Sequence, residues 1–312
     1  MKPEVLLMGP MYAPTMQSLE EAFTVHHVSK APDREALIAS VADRLTAAAT
    51  TAFRGMDAAT MAKLPKLKLV SHFGVGVDSV DVAAATARGV KVTNTPDVLT
   101  DDVADLTLGL LLATVRRICA GDRYVRAGKW AQATFPLTDT IQGKSLGIVG
   151  MGRIGQAIAR RAAAFNLKIA YQGPNRKAGL AYPYFADPVA LAKEVDFLVA
   201  ACPGGEATRG LVSRAVIEAL GPQGVFVNIS RGSVADEAAL IEALQDGRLG
   251  GAGLDVFATE PRIPEAFFAM ENVVLQPHVG SATHPTRRAM GQLVVDNLAA
   301  FFAGKPLVTP YN

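Results

Sequence analysis

Cysteine is almost missing from this chain: 312 residues hold two, Cys119 and Cys202, with no C-x-x-C pair. A disulfide framework is thereby excluded, and reduced thiols fit a cytoplasmic setting. Charge of one sign is equally scarce. The 31 Lys and Arg set against 29 Asp and Glu leave a formal net charge of +2, too little to hold a nucleic-acid backbone or an anionic membrane by bulk attraction. Long hydrophobic runs are lacking too. The longest, Leu106 to Val115, lies between Asp105 and Arg116 and is about half of what crosses a bilayer. The amino-terminal segment has neither the basic region nor the apolar length of a signal peptide and reads as a first strand. Five histidines, His26, His27, His72, His278 and His284, fall into no metal-ligand spacing, so no metal is expected.

What the chain does have is apolar residues, half of the total, enough for a large core in more than one domain. Short β-rich runs alternate with Ala- and Leu-rich helical patterns. Val5 to Met8, Thr24 to Val28, Leu67 to Ser71 and Val90 to Val92 form one series. Ser145 to Val149, Lys168 to Tyr171, Phe197 to Ala201, Val225 to Ile229, Gly251 to Val256 and Val273 to Gln276 form another. Such alternation predicts an α/β chain with two doubly wound parallel sheets and a cleft between them. Long helical patterns from about Thr100 and over Ala282 to Phe302 connect the two. Residues 1–98 with 287–312 form one expected domain, and 99–286 form the other.

The apolar strand Leu146 to Val149 leads into Gly150-Met151-Gly152-Arg153-Ile154-Gly155, a G-x-G-x-x-G that opens a helix. Between a strand and a helix this pattern predicts a Rossmann-like dinucleotide site. Gly150 makes the tight turn, Gly152 lets backbone approach a pyrophosphate, and Gly155 lets the helix pack close. An acid that would accept the adenosine ribose hydroxyls is absent: no Asp or Glu occurs from Gln156 through Ala186, and the second strand ends in Gly173-Pro174-Asn175-Arg176-Lys177. A 2′-phosphate would meet cations there, which favours NADP. The alternative for Arg176 and Lys177 is a solvated turn.

Arg231, Glu260 and His278 stand where strands of the second series end. A guanidinium can grip a carboxylate with a planar fork of donors. An imidazole can protonate a carbonyl oxygen as hydride reaches carbon, and a glutamate can orient that imidazole and favour its charged form. Gly221, Gly224 and Gly232 read as turns. Ser230 and Ser281 lack a G-x-S-x-G setting, which argues against a serine hydrolase.

The run Thr93 to Leu106, the glycine loop, Ala201-Cys202-Pro203, Asn228 to Gly232, Gly251 to Phe257 and Pro277 to Ser281 resemble the D-2-hydroxyacid dehydrogenases, over nearly the whole chain. The likeness is greatest to glyoxylate/hydroxypyruvate reductases and hydroxyphenylpyruvate reductases. That resemblance implies catalysis by Arg231, Glu260 and His278, with His278 as proton donor. It implies a substrate carboxylate held by backbone N–H groups at Val75 and Gly76, and Phe53 and Arg54 beside the substrate side chain. For the cofactor it implies Met151 to Ile154 at the pyrophosphate, Gly173, Pro174 and Asn175 with Arg176 at the 2′-phosphate, Ile229, Ser230 and Arg231 along the nicotinamide, and Asp255 at its carboxamide. Thr100, Cys202, Pro203 and Gly280 complete the implied cofactor contacts. Trp130 resembles a residue that related dimers contribute across subunits, which implies a homodimer.

The expectation is an NADPH-dependent reductase of small 2-oxo acids that makes D-2-hydroxy acids. Bulkier hydroxyphenylpyruvate and an NAD-preferring biosynthetic dehydrogenase are enzymatic alternatives. A nucleotide-sensing protein without turnover on the same fold is the alternative of another class, and the joint presence of Arg231, Glu260 and His278 argues against it.

Overall fold

The computed structural model describes residues 2–312. They form two compact units: the chain as far as Leu99 together with Ala282–Asn312, and Thr100–Ser281.

The first unit is built on five parallel strands, β1 (Glu4–Leu7), β2 (Thr24–His27), β3 (Ala47–Thr51), β4 (Leu69–Phe73) and β5 (Lys91–Thr93), in the order β2-β1-β3-β4-β5. Helices α1 (Ala13–Ala22), α2 (Arg34–Val41), α3 (Ala58–Ala62) and α4 (Val82–Ala87) connect them. Asp33, Asp57 and Asp81 start the last three by accepting backbone N–H groups of the first turn, the usual remedy for a helix's unpaired amides. The central strand β3 was not among the runs expected to be strands. Its sequence, Ala-Ala-Ala-Thr-Thr, carries no branched or aromatic signal before the threonines, yet all five residues are buried. Small side chains suit a strand covered on both faces, so burial overrides propensity here.

The second unit carries seven parallel strands, β6 (Ser145–Val149), β7 (Lys168–Gln172), β8 (Tyr184–Phe185), β9 (Phe197–Ala200), β10 (Val225–Asn228), β11 (Gly251–Leu254) and β12 (Val273–Leu275), ordered β12-β11-β10-β9-β6-β7-β8. Its helices are α5 (Thr100–Val115), α6 (Ile118–Arg126), α7 (Arg153–Ala164), α8 (Pro188–Lys193), α9 (Arg214–Leu220) and α10 (Glu237–Gln245). The carboxyl-terminal helix, α11 (His284–Phe302), returns to the first unit, where it packs on α1 and β4. Phe226, Leu198, Ile148 and Leu240 are buried in the larger unit.

From β6 the chain winds one way to β7 and then returns to β9 on the other side. At such a reversal the loops diverge to opposite faces and leave a crevice at the strands' carboxyl ends. All seven strands point the same way, so every loop that follows a strand emerges at one edge. Among the described residues no helix is long and apolar enough to cross a membrane.

Candidate active site

Gly150 follows β6 with φ +98°, a left-handed conformation that side chains disfavour. A Cβ on it would lie 2.5 Å from the Cys202 nitrogen, so the turn has room for glycine alone. At Gly155 a Cβ would come within 2.2 Å of the Gly150 carbonyl oxygen; bare backbone there draws α7 against the turn. Gly152 is the reverse case, because a Cβ would meet nothing within 4 Å. Space is therefore open beside Gly152, at the N-terminus of α7. No side chain caps this helix and its first turn holds no acid, whereas Asp187 caps α8 and Asp236 caps α10. The arrangement fits a phosphate group at the helix dipole's positive end.

Three neighbouring strands finish level with one another, Asn228 opposite Leu254 and Leu254 opposite Leu275, and their loops carry the three expected polar residues. After β10, the Asn228 amide donates to the Arg231 carbonyl at 3.0 Å and accepts the Ser230 N–H at 3.1 Å. The Ser230 hydroxyl donates to the Cys202 carbonyl, which ties the Arg231 loop to the loop after β9. A Cβ on Gly232 would fall 1.9 Å from the Phe257 carbonyl carbon. Gly232 opens a single 3₁₀ turn, Gly232–Val234, as expected of a turn residue, and close approach is what requires it to be glycine, pressing the Arg231 loop onto the loop that follows β11.

In that second loop the Phe257 N–H donates to Glu260 Oε1 at 3.0 Å, and the other carboxylate oxygen lies 2.6 Å from His278 Nδ1. Burial works to push the Glu260 carboxyl up. The hydrogen bonds from His278 and Phe257, with the charges of His278 and Arg231, outweigh it and set the carboxyl below its ordinary value. An ionised carboxylate only accepts, so His278 Nδ1 carries the proton of the pair. Arg231 exerts its charge on the same carboxylate, which makes the three residues one constellation.

His278 sits at φ +54°, a conformation uncommon outside glycine. Asp255 holds it there: the Asp255 carbonyl accepts the His278 N–H at 2.9 Å, and its carboxylate accepts the Val279 and Gly280 N–H groups at 2.7 and 2.9 Å. Burial pushes the Asp255 carboxyl up despite these two donors and the pull of His278, with the Glu260 charge adding to the rise. This clamp has no sequence signal, because nothing in the residue types says that a strand-end aspartate folds over the loop of the neighbouring strand.

Residues 108–280 match the family of the D-isomer specific 2-hydroxyacid dehydrogenase, NAD binding domain. Over 306 residues, and 98% of both chains, the protein is 50% identical to a glyoxylate/hydroxypyruvate reductase A of Arabidopsis thaliana, and equally to a hydroxyphenylpyruvate reductase of Plectranthus scutellarioides. A solved NADPH-dependent glyoxylate/hydroxypyruvate reductase of Sinorhizobium meliloti, in complex with NADP and malonate, superposes with a TM-score of 0.92 at 42% identity, covering 99% of this chain and 97% of that one. The chain belongs to the D-isomer specific 2-hydroxyacid dehydrogenase family. It is an oxidoreductase with an NAD(P)-binding domain.

In this 2-hydroxyacid dehydrogenase the other expected residues fall at two sheet edges. Gly173 follows β7, and Pro174, Asn175, Arg176 and Lys177 are exposed. Tyr171 and Tyr184 fix the base of that loop, the first accepting the Lys177 N–H at 2.8 Å and the second donating to the Gly173 carbonyl at 3.1 Å. Cys202 and Pro203 follow β9, and burial pushes the Cys202 thiol up, which keeps it protonated and unreactive. Ile229 lies between β10 and Arg231, while Thr100 opens α5. In the first unit Phe53 and Arg54 come after β3, and Val75 and Gly76 after β4. Thr51 pairs with Phe73, so these four stand together at the carboxyl edge of the smaller sheet. Phe53 is 63% exposed. Trp130, 68% exposed, lies beyond α6; Val125 within α6 and Leu137 further along the chain are exposed too. Among the described residues no cluster suited to a metal occurs.

Proposed function

We propose that this dehydrogenase reduces glyoxylate and hydroxypyruvate to D-2-hydroxy acids, with NADPH as cofactor. The observation that carries the reading is the 2.6 Å His278–Glu260 pair, electrostatically coupled to Arg231 at the edge where the glycine turn opens. Bound NADPH supplies the hydride; the protein supplies everything else.

The Arg231 guanidinium anchors the substrate carboxylate and polarises the keto oxygen. With Nδ1 committed to Glu260, delivery of a proton to that oxygen falls to His278 Nε2. Glu260 fixes the imidazole's orientation and offsets its charge before the proton leaves. Val75 and Gly76 hold the carboxylate through backbone N–H groups, and Phe53 and Arg54 border the side chain. Gly150 through Gly155 receive the pyrophosphate, and Gly173 to Arg176 receive the 2′-phosphate. Ile229, Ser230, Asp255 and Gly280 with Thr100, Cys202 and Pro203 surround the rest of the dinucleotide. The exposed apolar side chains of Val125, Trp130 and Leu137 support a homodimer through this segment, and two free thiols suit the reducing cytoplasm.

The test follows the loss of NADPH and NADH absorbance with glyoxylate, hydroxypyruvate, pyruvate and hydroxyphenylpyruvate. Turnover of the two small acids with NADPH is expected. Faster reduction of hydroxyphenylpyruvate would transfer the reading to the bulkier substrate, and no turnover of any acid would reject it.

A further inference from the structure

We infer that Asn94 is a positioning residue of the substrate-carboxylate subsite: its side-chain amide turns two successive backbone N–H groups, those of Val75 and Gly76, toward the anion. The inference rests on the assignment of that subsite to Val75 and Gly76 under the proposed function.

The geometry begins with two carbonyls. Thr95 N–H donates to the Gly74 carbonyl at 2.9 Å, and Asn94 Nδ2 donates to the Val75 carbonyl at 2.9 Å. The peptide bonds here are trans, since Glu260–Pro261 is the cis bond of the described chain. In a trans peptide the C=O and the following N–H point in opposite directions. Anchoring the Gly74 carbonyl on the 94–95 segment therefore turns the Val75 N–H away from it, and anchoring the Val75 carbonyl does the same for Gly76. In a regular strand successive N–H groups alternate; here two are driven to one side, the concavity in which backbone amides bind anions. Among the described residues neither N–H donates to a protein group.

Asn94 is itself fixed. It is 9% exposed, its N–H donates to the Thr309 carbonyl at 3.3 Å, and its carbonyl accepts the Thr309 hydroxyl at 2.6 Å. Thr309 is held in turn by Asn297, whose amide oxygen accepts the Val308 and Thr309 N–H groups and whose Nδ2 donates to the Thr309 hydroxyl at 2.9 Å. The carboxyl-terminal segment thus braces the residue that shapes the loop. Loss of the Asn94 donor frees the Val75–Gly76 peptide to rotate. That harms anion binding without touching the larger unit, where Arg231, Glu260, His278 and the glycine turn reside.

Asn94→Asp keeps the shape and replaces the donor by an acceptor facing a carbonyl, and Asn94→Ala removes the group. For both, the expected result is a KM for glyoxylate and an inhibition constant for oxalate that rise together by about tenfold or more, the loss of one hydrogen bond's worth of binding. kcat should change by less than about threefold, and the NADPH dissociation constant, read by fluorescence titration, should stay level. Lowered thermal stability with KM and oxalate inhibition unchanged would reduce Asn94 to a structural role and overturn the inference. If Asn94→Ala does not fold, Asn94→Asp decides alone. A wild-type enzyme that turns over 2-oxo acids beside unaffected variants sinks only this inference. A wild type that neither reduces them nor binds oxalate sinks the proposed function and this inference with it.

Discussion

The proton-donor role proposed for His278 needs a tautomer and a direction set in advance, and neighbours set both. Glu260 fixes Nδ1 from one side at 2.6 Å, and Asp255 fixes the backbone from the other. Because Glu260 is held below the ordinary carboxylate value, it stays charged across neutral pH. Its charged form contributes stability above that ordinary value, and the contribution disappears as pH falls through the lowered one. Glu260→Gln should lower kcat by about tenfold or more, because His278 Nδ1 loses the charged acceptor that sets its tautomer and direction. A kcat that stays level would remove Glu260 from the proposed proton transfer. Arg231, Glu260 and His278 were legible in the sequence because each sits where a strand runs out beside a glycine or proline. Asp255 and Asn94 were not legible as clamps, since each acts on backbone that topology alone brings near.

Loops carry the chemistry here, and their spacing depends on one contact between two of them. Gly232 lets the loop after β10 lie against Phe257, whose N–H orients Glu260. Gly232→Ala would place a methyl group 1.9 Å from backbone, a clash that only loop displacement can relieve. The expected outcome is destabilisation of about 1–3 kcal/mol by thermal unfolding, with kcat reduced by about tenfold or more. NADPH affinity should fall less than kcat, because the glycine turn after β6 stays in place even though Ile229 and Ser230 share the displaced loop. An active, fully stable variant would show that the loops tolerate separation. The strand series in the larger unit was readable from apolar runs such as Val225 to Ile229, and the ends shift by only a residue or two. β3 escaped because alanine gives no strand signal, and the two-residue β8 is too short to make a pattern. Gly232 was read as a turn residue, which it is, but its packing role escaped for a related reason: sequence shows that a residue lacks a side chain, and only packing shows whether a neighbour required the lack.

Over the whole molecule, positive and negative charges nearly cancel, so attraction for an anionic cofactor has to come from where the few unbalanced charges stand. The stretch from Gln156 through Ala186 holds no acid, and Arg176 and Lys177 are exposed at the end of β7. A 2′-phosphate carries nearly two negative charges at neutral pH. With no carboxylate opposing it and two cations within one loop, NADPH should be favoured over NADH, by a margin that solvent screening limits. Arg176→Ala should weaken NADPH by about 1 to 3 kcal/mol and leave NADH nearly unchanged. Raising the salt concentration should narrow the preference in the wild type and have less effect in the variant. Both responses are measurable from KM values for the two cofactors across a salt series. Equal loss for NADPH and NADH would mean that Arg176 shapes the loop, and a preference indifferent to salt would mean that the backbone of Gly173 to Asn175, with no help from the cations, selects the phosphate.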